Sequence, residues 1–145
     1  MKLLPFQEEA VTQMVQVLQS RGGVYNASEM GLGKSAMAIS AINRIPTINS
    51  ILVICPAIVR LVWEAELEKW RTRDYAVCCI SYNEAANKPE VYKALDYDCL
   101  LLDEAHYLKS TKAKRTKAIL GDLWPPSFFR CASTPITAFC TAFCH

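Results

Sequence analysis

The stretch that decides the fold is the run Ser28-Glu29-Met30-Gly31-Leu32-Gly33-Lys34-Ser35. A mainly apolar stretch precedes it at 24–27, and residues 36–42 after it have the composition of a helix. A glycine-rich turn between a strand and a helix brings backbone N–H groups and a positive helix end to phosphate oxygens. In such loops the lysine reaches the β- and γ-phosphates, and the following hydroxyl binds Mg²⁺. The run therefore predicts a nucleotide site, although Ser28 stands where the usual pattern has its first glycine.

A second motif supports this prediction. The apolar segment Leu100-Leu101-Leu102 leads directly into Asp103-Glu104-Ala105-His106. An acid at the end of a buried strand can hold Mg²⁺ opposite the loop hydroxyl, and its neighbour can orient the attacking water. Alternatively, the two acids only stabilise the start of a following helix. The loop upstream favours the first interpretation, with Lys34, Asp103 and Glu104 as catalytic candidates and Ser35 and Asp103 as Mg²⁺ ligands.

Composition limits the class of protein. The chain has 145 residues, of which 52% are hydrophobic and 21% charged, values typical of one globular domain. No apolar run reaches the roughly 20 residues that a membrane-spanning helix needs. Pro5 and the polar residues after it interrupt the short apolar start, so we expect no signal peptide. We therefore expect a soluble, intracellular protein without a membrane partner.

The chain has seven cysteines, and four of them, Cys55, Cys78, Cys79 and Cys99, lie in apolar, strand-like runs. They are expected to be small buried hydrophobes in a reducing compartment. The end, Cys140-Thr141-Ala142-Phe143-Cys144-His145, has one residue too many for a haem-attachment motif, so neither haem nor zinc is expected. Two copies of Thr-Ala-Phe-Cys fill residues 137–144, and we interpret 137–145 as an irregular tail at a truncated end.

Apolar, strand-like segments alternate with helical ones along the chain. Strands are predicted at 24–27, 51–55, 76–80, 99–102 and 127–132, and helices at 5–21, 36–44, 56–70, 88–95 and 111–120. This alternation predicts an α/β fold, with a parallel sheet of about five or more strands and helices on both faces. Ligands bind such sheets at the carboxyl ends of the strands, where both motifs lie.

Taken in order, these segments resemble the first RecA-like lobe of superfamily 2 helicases. More narrowly, they resemble the chromatin-remodelling (SWI/SNF-type) double-stranded DNA translocases, especially the annealing-helicase branch. The match covers residues 3–135, which gives a lobe at 1–136. It rests on Leu4-Pro5-Phe6-Gln7, Glu29 to Ser35, Val53-Ile54-Cys55-Pro56, Asp103-Glu104-Ala105-His106 with Leu108-Lys109-Ser110, and Ala132-Ser133-Thr134-Pro135. Ser35 replaces the usual threonine, and Ser133 stands where glycine is expected.

The resemblance implies a P-loop ATP hydrolase that uses ATP and Mg²⁺ and moves on duplex DNA. Gln7 would read adenine, while His106 and Thr134 would couple the nucleotide state to DNA. The implied nucleotide-binding residues are Gln7, Glu29, Met30, Gly31, Leu32, Gly33, Lys34 and Ser35. In this family an arginine from a second RecA-like lobe completes the site. Because the sequence stops before such a lobe, we expect it to be supplied in cis or in trans. We expect this chain alone to bind ATP but to hydrolyse it poorly.

Several alternatives stay open. Five basic residues after the acidic motif could contact DNA phosphates or form a solvated helix face: Lys109, Lys112, Lys114, Arg115 and Lys117. Gln7 could be a solvated polar residue, and His106 could be an ordinary core histidine. Trp63 and Trp70 are expected to pack in the core rather than stack on bases. The whole chain could instead belong to an RNA helicase or a restriction-complex translocase, or be a non-catalytic nucleotide- or DNA-binding remnant.

Overall fold

The computed structural model describes residues 1–26, 28, 31–108, 110, 112–123 and 138–141; for His106, Asp122 and 138–141 it describes the backbone alone. The helices of this part of the chain are α1 (Pro5–Arg21), α2 (Lys34–Asn43), α3 (Arg60–Trp70), α4 (Tyr82–Asn87), α5 (Pro89–Lys93) and α6 (Lys114–Lys117). The strands are β1 (Gly23–Asn26), β2 (Ser50–Cys55), β3 (Ala76–Ser81), β4 (Cys99–Leu102) and β5 (Ala138–Thr141). Short 3₁₀ turns cover Ala57–Val59 and Ala105–Leu108.

The five strands form one parallel sheet in the order β1-β5-β4-β2-β3. This confirms the predicted parallel α/β architecture. The irregular tail predicted at 137–145 is wrong for Ala138–Thr141, because these residues pair with β1 on one side and β4 on the other. They contain neither glycine nor proline, so nothing in their backbone opposes an inner strand. The strand predicted at 127–132 lies outside the described residues.

Helices cover both faces of the sheet, as predicted. Alternate residues of β2 point to opposite faces: Ile51 and Val53 pack with α1, α2 and α3, while Leu52 and Ile54 pack with α4 and the segment after α6. All four side chains are buried. The continuous apolar run of this strand is therefore explained by burial on both faces.

The helix ends follow local sequence signals, with two differences from prediction. Pro5 is the first residue of α1, and Gly22 caps its carboxyl end. Helix α4 was not predicted; the Ser81 hydroxyl and the Glu84 side chain form a reciprocal capping box at its start. The helix predicted at 111–120 is shorter: α6 ends at Lys117 and widens into a π-helical turn over Ala118–Asp122, where the Leu123 N–H donates to the Ala118 carbonyl.

The four cysteines whose side chains the structure describes are free thiols. Cys55, Cys79 and Cys99 are buried, as predicted, whereas Cys78 is only partly buried. Burial, and after it the charge of Asp103, raises the pKa of Cys55 to about 11. Burial raises the pKa of Cys79 to about 12. These side chains therefore act as small apolar groups in the core at neutral pH. In the described part of the chain, no helix is both long and apolar enough to cross a membrane.

Candidate nucleotide-binding site

The sheet brings the two sequence motifs to one edge. Asn26, the last residue of β1, pairs with Thr141, and Leu102, the last residue of β4, pairs with Cys140. The two strands thus end at nearly the same level, with only β5 between them. Because neighbouring strands lie about 4.8 Å apart, the glycine-rich loop and Asp103 begin about 10 Å from each other. This spacing suits a triphosphate and a metal ion between them.

Two glycines give the loop its shape. Gly31 and Gly33 have φ values of +80° and +76°, and Gly33 immediately precedes α2 as its N-cap. A Cβ atom at Gly33 would lie 2.6 Å from Nε2 of Gln7, whereas one at Gly31 would meet nothing within 4 Å. Both positions adopt the left-handed conformation that favours glycine, and a side chain at Gly33 would also displace the Gln7 amide.

Gln7 is buried against this loop. Its Nε2 donates to the Leu32 carbonyl at 2.9 Å, and its Oε1 accepts from the Leu4 N–H at 2.9 Å. The side chain is 9% exposed, which excludes the solvated alternative. Gln7 therefore joins the start of α1 to the phosphate loop.

Lys34, the first residue of α2, is directed back across the loop. Its Nζ donates to the Ser28 carbonyl at 2.9 Å, and its side chain is largely buried. The Ser28 N–H and hydroxyl both donate to Asn26 Oδ1, at 3.1 and 2.5 Å. The positive charge of Lys34 is thus held at the helix N-terminus, where a phosphate would be stabilised.

Asn26 itself has an unsatisfied group. Its Nδ2 is buried and has no hydrogen-bond partner among the residues that the structure describes. A buried donor without a partner costs roughly 1–3 kcal/mol, so it favours a bound acceptor oxygen nearby. Such a donor at the start of the loop fits a site for phosphate or for an ordered water beside it.

Hydrogen bonds to its carboxylate and to its backbone hold Asp103 in place. Oδ2 accepts from the Trp63 indole Nε1 at 2.7 Å, and Oδ1 accepts from the Glu104 N–H at 3.1 Å. The Asp103 carbonyl accepts from the Tyr82 hydroxyl at 2.5 Å, and the Asp103 N–H donates to the Ile54 carbonyl at 2.9 Å. Both the backbone and the carboxylate of Asp103 are therefore fixed in position.

Glu104 has a strained backbone. Its φ is +54°, a left-handed conformation that glutamate seldom adopts. Such conformations cost on the order of 1 kcal/mol and concentrate at functional sites. The turn directs the chain away from β4 immediately after Asp103.

The donor set fits Mg·ATP. Mg²⁺ is usually held by one or two protein oxygens together with phosphates and water. Ser35, the second residue of α2, supplies a hydroxyl, and Asp103 supplies a carboxylate that the Trp63 indole and the Glu104 N–H hold in place. Hydroxyl and carboxylate oxygens are the hard ligands that Mg²⁺ takes in proteins.

A stack of side chains connects the basic segment to Asp103. The Arg115 guanidinium lies 5.6 Å from the Tyr107 ring, which stacks on Tyr82 with ring centroids 5.2 Å apart and an interplanar angle of 9°. Tyr82 in turn donates to the Asp103 carbonyl. Of the other basic candidates, Lys112, Lys114 and Lys117 are exposed, and Lys114 Nζ lies 3.4 Å from Asn87 Oδ1.

No protein-family model matches the chain. It is 30% identical over 135 residues to a Caenorhabditis elegans homologue of SWI/SNF-related matrix-associated actin-dependent regulator of chromatin subfamily A-like protein 1, covering 80% of this chain and 19% of that protein. It is 29% identical over 142 residues to the Mus musculus DNA annealing helicase and endonuclease ZRANB3, covering 82% of this chain and 13% of that protein. The fold matches the Sulfolobus solfataricus SWI2/SNF2 ATPase core in complex with dsDNA with a TM-score of 0.75 and 21% identity, over 98% of this chain and 32% of that one.

The chain belongs to the SWI/SNF-type family of helicase-related proteins. The family resemblance predicted from the motifs is thereby confirmed, as is the RecA-like fold. The chain spans less than a fifth of each of these two curated relatives, so it corresponds to one part of a SWI/SNF-type protein.

The structure brings together most of the site residues predicted for a SWI/SNF-type lobe. Gln7, the two loop glycines, Lys34 and Asp103 lie at the carboxyl edge of the sheet or against the loop there. His106 lies in the 3₁₀ turn after Glu104, with its side chain outside the description. Four candidates fall outside the described residues: Glu29, Met30, Lys109 and Thr134. Sequence reasoning placed Trp63 in the core, where it is, but missed its hydrogen bond to Asp103.

Proposed function

We propose that these residues form the ATP-binding lobe of an ATP-dependent double-stranded DNA translocase that couples ATP hydrolysis to movement on DNA. One observation carries the proposal: the glycine-rich loop and Asp103 lie at the same edge of the sheet. The loop has two left-handed glycines and a buried lysine, and hydrogen bonds fix Asp103 opposite it. An intracellular, reducing location is part of the proposal, because the described thiols are free.

The proposed roles follow from charge and position. Lys34 neutralises charge on the β- and γ-phosphates, Ser35 and Asp103 hold Mg²⁺, and Glu104 orients the attacking water and accepts its proton. The Mg²⁺ that Ser35 and Asp103 would hold would supply positive charge to offset the negative charge that develops on the phosphates. From the family pattern, His106 and Thr134 transmit the nucleotide state to the DNA-binding elements.

Gln7 is proposed to read adenine. In its two contacts with the protein, the amide uses one of its two N–H bonds and one lone pair of its oxygen. One donor and one acceptor therefore remain, which is the pair that a glutamine uses to recognise the edge of adenine. Preference for ATP over GTP would support this role, and equal affinity for the two would assign Gln7 to loop support alone.

Duplex DNA is the proposed partner, together with a second RecA-like lobe that supplies the arginine. DNA recognition would rest on phosphates, through Lys112, Lys114 and Arg115 with Lys109, and would not depend on base sequence. Because the chain belongs to the SWI/SNF-type family, the alternative that stays open is a remnant that binds nucleotide or DNA without catalysis.

Titration calorimetry with Mg·ATP tests the proposal. Replacing Lys34 with alanine should weaken binding about 10- to 100-fold, since a hydrogen bond to a charged group contributes roughly 1.5–3 kcal/mol. The exposed Lys93→Ala is the matched control and should bind as the wild type does. Unchanged affinity in a folded Lys34→Ala protein would contradict the assignment of the loop.

A further inference from the structure

The hydrogen bond between Trp63 and Asp103 joins two elements that are distant in sequence. Trp63 lies on α3, is 2% exposed, and its Nε1 is 2.7 Å from Asp103 Oδ2. Indole has one polar group, a single N–H donor. Without Asp103 this donor would be buried and unsatisfied, so the two residues depend on each other.

We propose that Trp63 is a positioning residue that sets the orientation of the Asp103 carboxylate for Mg²⁺. The inference rests on the proposed binding of Mg·ATP. Trp63 holds Oδ2 and the Glu104 N–H holds Oδ1, so the plane of the carboxylate is fixed by a donor at each oxygen. Outer donors of this kind orient metal ligands and reduce the reorganisation that binding requires.

The surroundings of Trp63 make it suitable for this role. Its ring lies in the core cluster with Cys55, Leu67 and Cys79, on the face of the sheet that α1, α2 and α3 cover. A large ring in a close-packed core cannot turn easily, so the N–H keeps its direction. Trp70, on the same helix, is only partly buried and provides a natural comparison.

The test separates positioning from packing. ATP affinity is measured by calorimetry over a range of Mg²⁺ concentrations, and in EDTA without Mg²⁺. Two variants remove the N–H: Trp63→Phe, and a protein with 3-benzothienylalanine at position 63, in which sulfur replaces the nitrogen and the shape is kept. We expect the gain in ATP affinity from Mg²⁺ to fall about 10-fold in both, with affinity in EDTA unchanged. Trp70→Phe should retain the full gain.

A second measurement uses the native indole. In ¹⁵N-labelled protein that carries Trp70→Phe and Trp124→Phe, the remaining indole N–H signal belongs to Trp63. Adding Mg²⁺ to the ATP complex should shift this signal, because a metal on the carboxylate weakens the hydrogen bond that it accepts. Asp103→Asn should abolish the shift. This result does not depend on the folding of any Trp63 variant.

The outcomes are distinct. The inference would be overturned if a folded Trp63 variant gained as much ATP affinity from Mg²⁺ as the wild type does. It would also be overturned if Mg²⁺ did not shift the Trp63 indole N–H signal. Neither result would contradict ATP binding itself. Absence of ATP binding by the wild type would instead overturn the proposed function, and the inference with it.

Discussion

The two left-handed glycines of the loop differ in their surroundings, which allows backbone strain to be separated from crowding. Alanine at Gly31 meets open space and bears only the left-handed strain, about 1–2 kcal/mol. Alanine at Gly33 has the same strain and also displaces the Gln7 amide. We therefore predict that Gly33→Ala lowers the free energy of unfolding more than Gly31→Ala does, measured by urea denaturation.

Gly121 provides the control for this pair. Its φ is not left-handed, and a Cβ atom there would meet nothing within 4 Å. Gly121→Ala should leave stability unchanged or raise it by less than about 1 kcal/mol. If Gly31→Ala and Gly33→Ala lower the free energy of unfolding equally, crowding against Gln7 does not contribute to the loss of stability.

The residues of the site were predictable to the extent that their signals are local. The residue types and spacing of the run around Lys34, and of the two acids after β4, indicate a nucleotide site. The sequence alone therefore predicted these residues. The Trp63–Asp103 and Gln7–Leu32 contacts were not, because they join residues 40 and 25 positions apart. Such contacts depend on how helices pack on the sheet, which no short motif specifies.

At the scale of elements, Arg73 fixes the carboxyl end of α2, the helix that begins at the phosphate loop. Its Nη2 donates to the carbonyls of Ile42, Ile45 and Ile48 at 2.6 to 3.0 Å. Its Nε donates to the Asn43 carbonyl at 3.3 Å. Ile42 and Asn43 end α2, and Ile45 and Ile48 lie in the turn that follows it. Arg73 therefore joins the end of the helix to this turn, in addition to the backbone hydrogen bonds that the Ile42 and Ile45 carbonyls accept.

We predict that Arg73→Ala destabilises the protein by about 2–3 kcal/mol, because several carbonyls lose a charged donor together. The exposed Arg21, in the last turn of α1, is the control, and Arg21→Ala should change stability by less than about 0.5 kcal/mol. Thermal unfolding of the two variants gives the comparison. If Arg73→Ala lowers stability no more than Arg21→Ala does, the hydrogen bonds of Arg73 do not stabilise the end of α2.

The basic segment around α6 carries the prediction for DNA. Lys112, Lys114 and Lys117 are exposed. If each contacts a phosphate, each alanine substitution should reduce the magnitude of the slope of log K against log[salt] by about 0.9. Fluorescence anisotropy with a labelled duplex measures this slope, and Lys93→Ala should leave it unchanged. If the slope is unaltered when Lys112, Lys114 and Lys117 are all replaced by alanine, the lysines around α6 form only a solvated face.

Elements were predicted best where burial determines the sequence pattern. The apolar runs of β2 and β4 are buried on both faces and were found within one residue. Helix α4 was missed although its capping box is visible as Ser81-Tyr82-Asn83-Glu84, because its six residues are too short for a clear period. Strand β5 was missed because its place depends on pairing with β1 and β4.

For the molecule as a whole, the described structure is one sheet with helices on both faces, and the site lies at the edge of that sheet. The residues proposed to hold phosphate, metal and water all come from this single unit. The arginine that completes the site in the family comes from a second lobe. Binding and chemistry are thus expected to separate when the 145-residue chain is studied alone.

We predict that this chain binds Mg·ATP but hydrolyses it at least about 10³-fold more slowly than a complete ATPase, because an arginine finger contributes roughly 10³–10⁵ in rate. If the lobe that excludes water and responds to DNA lies outside these 145 residues, as the family pattern implies, duplex DNA should not raise the rate of the chain alone. A coupled phosphate-release assay measures turnover, and Glu104→Gln should abolish any residual rate that belongs to this site. Adding the second lobe of a related protein in trans should increase turnover if the first lobe is intact. Rapid hydrolysis by the chain alone, stimulated by DNA and lost in Glu104→Gln, would show that the 145 residues already contain a complete catalytic site.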